Sequence, residues 1–340
     1  RSLEAQQKSN PATIAGLLGA ILLTIAVPQA GMAALATTQA MATQSKINYT
    51  RLHEKEADRI GMQILVDAGF DPNAAADFFG KLATRYRFTT TPPQMLLTHP
   101  LPESRITEAR NRAEQYPKRY IPDNLNFQLA KARIQVRFSS YSDEAVLSMF
   151  DRQLNKQTYS FKEAALYGKA LALFRLKKFG ESEKIVDELL KIDDNNLFYI
   201  DTKADLLTER KDYAKAIAML EAQRKMKPTS QVINANLANI YLEADQASKA
   251  IPLLEDMIFL DKQNQLPYQL LSAVYKKTGN QALEYFSTAE LMALGANYKG
   301  AIDQLNFAYR ASESNPLQLA RIEARIRQFK MADKEMEALK

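Results

Sequence analysis

Two acids one helical turn apart, Glu54 and Asp58, share a stripe with Ala57, Gly61, Leu65 and Ala68 at helical spacing. Carboxylates at i and i+4 repel each other on a helix surface, and on an apolar stripe they are costly without a positive partner. A cation is therefore expected beside them, and Arg51, Lys55 and Arg59 of the same segment point elsewhere. Two resolutions follow. A distant arginine or lysine pairs with both acids, or a metal ion takes one acid directly while the other orients a ligand. The 340 residues contain two histidines, His53 and His99. They cannot form an HExxH zinc helix, which needs two histidines four apart so that both reach one metal. His53-Glu54 opens such a motif, but Ala57 stands where the second histidine is required. Cysteine is absent, which excludes disulfides, thiolate metal sites and a cysteine nucleophile.

The acids need a helix to hold them, and the pattern predicts one from about Thr50 to Ala68, with Gly69 as its C′ residue. Asp71-Pro72 supplies an N-cap and a first-turn proline for the next helix, about Pro72–Tyr86, with Ala75, Phe78, Phe79 and Leu82 on its buried side. An irregular tract, Phe88–Leu101, contains Pro92, Pro93 and Pro100, and a further helix covers about Pro102–Tyr116. The proline-bearing stretch Pro117–Asp123 marks a domain boundary, giving domains 1–118 and 124–340. Upstream, no charge occurs between Lys8 and Lys46, and Ile14–Val27 is densely apolar before Pro28. That run is shorter than the ~20 residues a spanning helix needs. A buried or membrane-touching helical hairpin is expected there, with a true transmembrane span as the rival.

The formal charge is +6, from 45 Lys and Arg against 39 Asp and Glu. The two signs are interleaved, and basic tracts such as Arg175–Lys178 and Arg224–Lys227 sit at helix ends, where cations complement the dipole. Nucleic-acid binding is not expected. No stretch alternates with period two, so the fold class is mainly all-α. From residue 124 onward the chain repeats itself at 34-residue spacing, with Phe179, Tyr213 and Ala247 in equivalent positions. Around the second of these, Ala204, Leu207, Tyr213, Ala216, Leu220 and Pro228 follow the small, large, aromatic, small, large, proline order of a tetratricopeptide repeat (TPR). Residues 124–160 read as a degenerate first repeat, Tyr298, Ala301 and Leu305 as a late helical pair, and Leu317–Lys340 as a capping helix. Such a solenoid presents a concave face to a peptide or protein. Asn236 and Asn239 are placed to bond an extended backbone or simply to tighten the repeat.

The string Glu54-Lys55-Glu56-Ala57-Asp58 resembles the ExxAD segment of gluzincin metallopeptidases of the CAAX-prenyl-protease type. Thr98-His99-Pro100-Leu101-Pro102-Glu103-Ser104-Arg105 is similar to their THPxxxxR segment. Followed by TPR repeats, the two motifs resemble the β-barrel assembly-enhancing proteases, a family of periplasmic enzymes of Gram-negative bacteria. The resemblance covers essentially the whole chain. It implies a zinc endopeptidase and chaperone (one Zn2+ per intact protein) acting with the outer-membrane β-barrel assembly machinery and unfolded outer-membrane proteins, with peripheral membrane contact. It implies that Glu54 is a zinc ligand and Asp58 the acid bonded to a ligand histidine. His99 would lie on a loop over the metal, able to fill its open position and hold the enzyme latent, and Arg105 near the substrate cleft. His53 has no family role and is expected to face solvent. The family's HExxH helix, which lies upstream of the apolar hairpin, is not in this sequence. Arg1–Ser9 reads like the polar end of that helix, so the chain is expected to begin just after it. Glu54 and His99 fall short of the three protein ligands a zinc site needs, so this polypeptide alone is expected to be inactive. A non-catalytic TPR scaffold or chaperone is the rival reading.

Overall fold

The computed structural model describes residues 53–86, 103–312 and 315–338, and every regular element among them is helical. The chain divides into two compact units, Arg1–Pro122 and Asp123–Lys340.

Three helices form the described part of the first unit: α1 (53–67), α2 (Asn73–Tyr86) and α3 (Glu103–Ala113). α1 ends where Gly69 adopts φ 84°, a conformation a Cβ resists. There the Phe70 N–H donates back to the Leu65 carbonyl at 3.0 Å, closing the turn. Asp71 then opens α2, its carboxylate accepting from the Asn73 N–H at 3.0 Å. Met62, Ala76, Ala109 and Ala113, one or two from each helix, form the core, with Phe79 and Tyr116 packed against it.

The faces of these helices differ from the expected ones. Phe78 is 55% exposed rather than buried. Ala57, Gly61 and Ala68 are also exposed, while Met62 is buried. The inward line of α1 runs through 54, 58, 62 and 65; it keeps 54, 58 and 65 of the expected stripe and takes Met62 in place of Ala57, Gly61 and Ala68, a rotation of roughly 45°. Packing against α3 sets that rotation, and α3 is remote in sequence. The apolar segment 14–27 lies outside the described residues, and among those described no helix is long and apolar enough to cross a membrane.

In the second unit twelve α-helices follow one another. They are α4 (Leu125–Arg137), α5 (Asp143–Lys156), α6 (Lys162–Arg175), α7 (Phe179–Ile192), α8 (Leu197–Glu209) and α9 (Tyr213–Met226). The remaining six are α10 (Gln231–Glu243), α11 (Ala250–Leu260), α12 (Gln265–Lys277), α13 (Gln281–Leu294), α14 (Tyr298–Ala311) and α15 (Pro316–Ala338). Most pack mainly on their chain neighbours, as a solenoid requires, whereas α4 packs chiefly on α6.

The 34-residue period reaches the backbone. Asn196, Ser230 and Asn264 each cap the next helix through a side-chain oxygen. Lys177, Lys211, Asp245 and Gly279 turn the chain between paired helices at φ 58°, 61°, 58° and 76°. α11 is preceded by one 3-10 turn, Ala247–Lys249. Pro252 has no N–H for the Ser248 carbonyl, so an α-helix cannot run unbroken through this point.

The small positions of the repeat, Ala170, Ala204, Ala216, Ala238 and Ala250, are all buried, and the large ones, Leu173, Leu207, Leu220 and Leu254, fill the gaps between helices. Gly168 serves the same end. A Cβ there would lie 2.2 Å from the Phe150 ring, so only glycine lets α5 and α6 approach this closely. The terminal helix α15 buries Ile322 and Phe329.

Candidate active site

α1 aims both acids at α3. Arg105, in the first turn of α3, donates from Nε and Nη2 to the two Asp58 oxygens, each at 2.7 Å. Its Nη1 lies 2.8 Å from Glu54 Oε2. The distant arginine is thus one of the two resolutions expected for the acids. One planar guanidinium spans both carboxylates because its fork of donors matches carboxylate geometry in a way an ammonium does not. The three side chains are only 10% (Arg105), 14% (Glu54) and 18% (Asp58) exposed, so solvent screens the triad little. Hydrogen bonding to Asp58 holds the Arg105 charge above its ordinary pKa, outweighing the pull of burial. The Phe79 ring lies under the guanidinium at 5.1 Å. Lys55 and Glu108, paired at 2.7 Å, tie the same two helices nearer the surface.

Beside the triad opens a cleft of about 310 Å³, bordered by Gly61 and Leu65 of α1, Phe78 and Phe79 of α2, and Arg105 and Arg112 of α3. Its apolar wall explains the exposure of Phe78. His53 lies on the exposed side of α1. His99 lies outside the described residues. Phe79 and Met62 went unrecognised in the sequence as neighbours of the acids. Continuing the i+4 step from 54 and 58 to 62 would have found Met62. Nothing local marks Phe79, because it reaches Arg105 only through the packing of α2 on α3.

A zinc ion needs three or more donors converging on one point. Among the described residues no group of three His, Cys, Asp or Glu is so placed. Glu54 is the sole expected ligand among them, and Arg105 already holds one of its oxygens. The described residues therefore do not by themselves fit a zinc ion.

A second polar network, largely shielded from solvent, lies within the repeat array. Arg133 of α4 lies over the rings of Tyr167 at 5.7 Å and Phe198 at 5.0 Å, bonds the Tyr167 hydroxyl, and pairs with Asp201 of α8 at 2.7 Å. Asp201 also accepts from Asn236 of α10 at 2.8 Å. Asn236 is thereby committed inside the array, whereas Asn239 is exposed. One turn beyond Asp201, burial and the Asp201 charge push the Asp205 carboxyl up to about 6.

The first unit thus sets a solvent-shielded acid pair beside a cleft, and the second is a helical repeat array. Comparison with known proteins gives these two units their class. The sequence model of Peptidase family M48 matches residues 1–113, and that of the tetratricopeptide repeat matches residues 207–274. The putative beta-barrel assembly-enhancing protease of Vibrio cholerae serotype O1 is 41% identical over 329 residues, covering 97% of this chain and 68% of the relative. The beta-barrel assembly-enhancing proteases of Escherichia coli (strain K12) and Yersinia pestis are 38% and 37% identical over 330 residues, covering 97% of this chain and 67% and 68% of theirs. The chain belongs to the family of beta-barrel assembly-enhancing proteases, M48 metallopeptidases with C-terminal TPR repeats.

Proposed function

We propose that the protein works as a zinc-dependent endopeptidase and chaperone of the bacterial periplasm, in the assembly and quality control of outer-membrane β-barrel proteins. Residues 1–118 carry the chemistry, and the repeat array, 124–340, docks the assembly machinery or its unfolded substrates. Glu54 and His99 are metal ligands, with further ligands supplied from elsewhere. Asp58 orients a ligand histidine, and Arg105 stands at the edge of the substrate cleft.

The observation that carries this reading is the triad Glu54–Arg105–Asp58, screened from solvent beside an open cleft within the segment that matches Peptidase family M48. Arg105 holds Asp58 with two prongs and Glu54 with its third arm, which fixes both acids in place before a metal arrives. The same arginine favours a second reading, a non-catalytic TPR scaffold, because it neutralises both acids without any metal. Kinship with beta-barrel assembly-enhancing proteases supports the first.

Casein hydrolysis separates the two. The 340-residue chain with zinc is expected to show none, and chelator-sensitive cleavage by it would contradict the proposed shortage of ligands. In a chain that also carries an HExxH segment, chelator-sensitive cleavage abolished by Glu54→Gln supports the enzyme. Cleavage that survives Glu54→Gln removes Glu54 from the site, and no cleavage at all leaves the scaffold.

A further inference from the structure

A cleft of about 720 Å³ lies in the second unit, outside the residues assigned above. One wall is α11, with Glu255, Ile258 and Phe259, and Lys262 just past its end; the other is α15, with Arg321, Ala324, Arg325 and Gln328. Each wall presents positions i, i+3, i+4 and i+7, a stripe two helical turns or ~10 Å long. Tyr275 of α12 and Phe286 of α13 contribute the buried aromatic lining between them. Facing helical stripes over an aromatic floor are what a further helix packs into.

The polar groups at the rim divide into committed and uncommitted. Arg325 makes a two-pronged pair with Glu290, 2.6 Å on each arm, and donates to Gln328 at 2.7 Å. Arg321 instead lies over the Phe286 ring at 4.6 Å, and no carboxylate among the described residues pairs with it. Glu255, on the opposite wall, likewise has no ion partner among the described residues. Both charges reach the Tyr275 hydroxyl, which burial holds above its ordinary pKa, Glu255 reinforcing the effect and Arg321 opposing it. On the α11 rim Phe259 is left 83% exposed. An aromatic cleft with a bare phenylalanine at its lip and, among the described residues, Arg321 unpaired on the α15 wall and Glu255 and Lys262 unpaired at the two ends of the α11 stripe fits an apolar helix face flanked by charges of both signs.

We propose that this cleft docks an amphipathic helix of a partner protein. The apolar stripe of that helix covers Phe259, Tyr275 and Phe286, its acidic flank meets Arg321, and its basic flank meets Glu255. Arg321 is the one cation on the α15 wall without a carboxylate among the described residues, so it sets which flank of the helix is acidic. The inference does not depend on the chemistry assigned to Glu54.

Fluorescence anisotropy on the 340-residue chain tests it. The probe is a labelled, stapled helical peptide of about 14 residues, four turns, with leucines at i, i+3, i+4 and i+7, glutamate on one flank and lysine on the other. Saturable binding is expected, weakened about tenfold or more by Phe259→Ala and by Arg321→Glu. The Arg321→Glu loss is expected to be recovered by a peptide with lysine in place of the glutamates. Absence of saturable binding overturns the proposal, as does indifference to Phe259→Ala or failure of the charge exchange to restore affinity. A self-association of the chain abolished by Phe259→Ala also overturns it, since a second copy would then own the cleft. Both substituted residues are exposed, so circular dichroism melting curves matching the unsubstituted chain will separate loss of the cleft from loss of the fold.

Discussion

The two units solve the same problem, holding helices together, with different materials. In the first, a core of one methionine and three alanines is supplemented by an arginine locked between two carboxylates. In the array, every repeat contributes buried leucine, isoleucine or tyrosine to a continuous apolar stack. Apolar side chains of the same volume would hold α1 against α3 at least as well, because desolvating an ion pair offsets most of its attraction. A charged triad where aliphatic packing would suffice therefore points to a task beyond stability.

The largest effect expected of a single substitution lies in the array. Leu220 is fully buried, so Leu220→Ala should cost about 4 kcal/mol in chemical denaturation. Hydrogen exchange should show the loss concentrated in α8–α10, because a solenoid is stabilised by nearest neighbours. A loss spread evenly over all twelve helices would refute the repeat picture of its energetics.

Removing the arginine of the triad should cost slightly less, about 3 kcal/mol for Arg105→Ala, since two poorly solvated carboxylates are left facing each other. Arg105→Lys should recover only part of it, as an ammonium cannot span both acids. Amide exchange in α1 and α3 reads this out. A loss below about 1 kcal/mol would reduce the triad to an ordinary surface pair and erase the contrast between the units.

Asp205 offers a case of charge placed badly within the array. Its carboxyl is pushed up to about 6 from 3.8. The folded value is above the unfolded one, so the protonated form stabilises fully below about pH 4, and that contribution is lost as pH rises through about 6. Asp205→Asn is thus expected to stabilise the protein by up to about 3 kcal/mol at pH 7.5 and by well under about 1 kcal/mol at pH 4. Melting temperatures at the two pH values check it, and equal shifts at both would show that Asp205 ionises freely.

The smallest effect concerns Tyr199, whose hydroxyl is buried and finds no hydrogen-bond partner among the described residues. Burial pushes its pKa to about 12. Tyr199→Phe removes an unsatisfied polar atom and should raise stability by about 1 kcal/mol. A destabilising result would reveal a partner for the hydroxyl.

How far the sequence could be read differs between the units for one reason. In the array each position meets neighbours 34 residues away, so the same packing rule is written several times and becomes visible as a period. Ala204, Ala238, Leu220 and Leu254 were legible for that reason, as was α15 as a terminal helix. The left-handed turns were not. Gly279 announces its own, but Lys177, Lys211 and Asp245 adopt the same conformation without glycine because the paired helices impose it. In the first unit nothing repeats. Ala57, Gly61, Ala68 and Phe78 were expected to be buried and are exposed, since one helix alone does not reveal which way it will be rotated.

Sequence alone determined that Glu54 and Asp58 share a helix face and need a positive partner, because i, i+4 geometry and the cost of a lone buried charge are local facts. It also determined an all-α fold ending in helical repeats. Which cation answers the two acids was decided by tertiary structure: Arg105 is 47 positions from Asp58, and only the packing of α3 on α1 brings its guanidinium within hydrogen-bonding distance of both. The cleft between α11 and α15 was decided in the same way. No local pattern records that two stripes more than 60 residues apart, at Glu255 and Arg321, will face each other across Phe286.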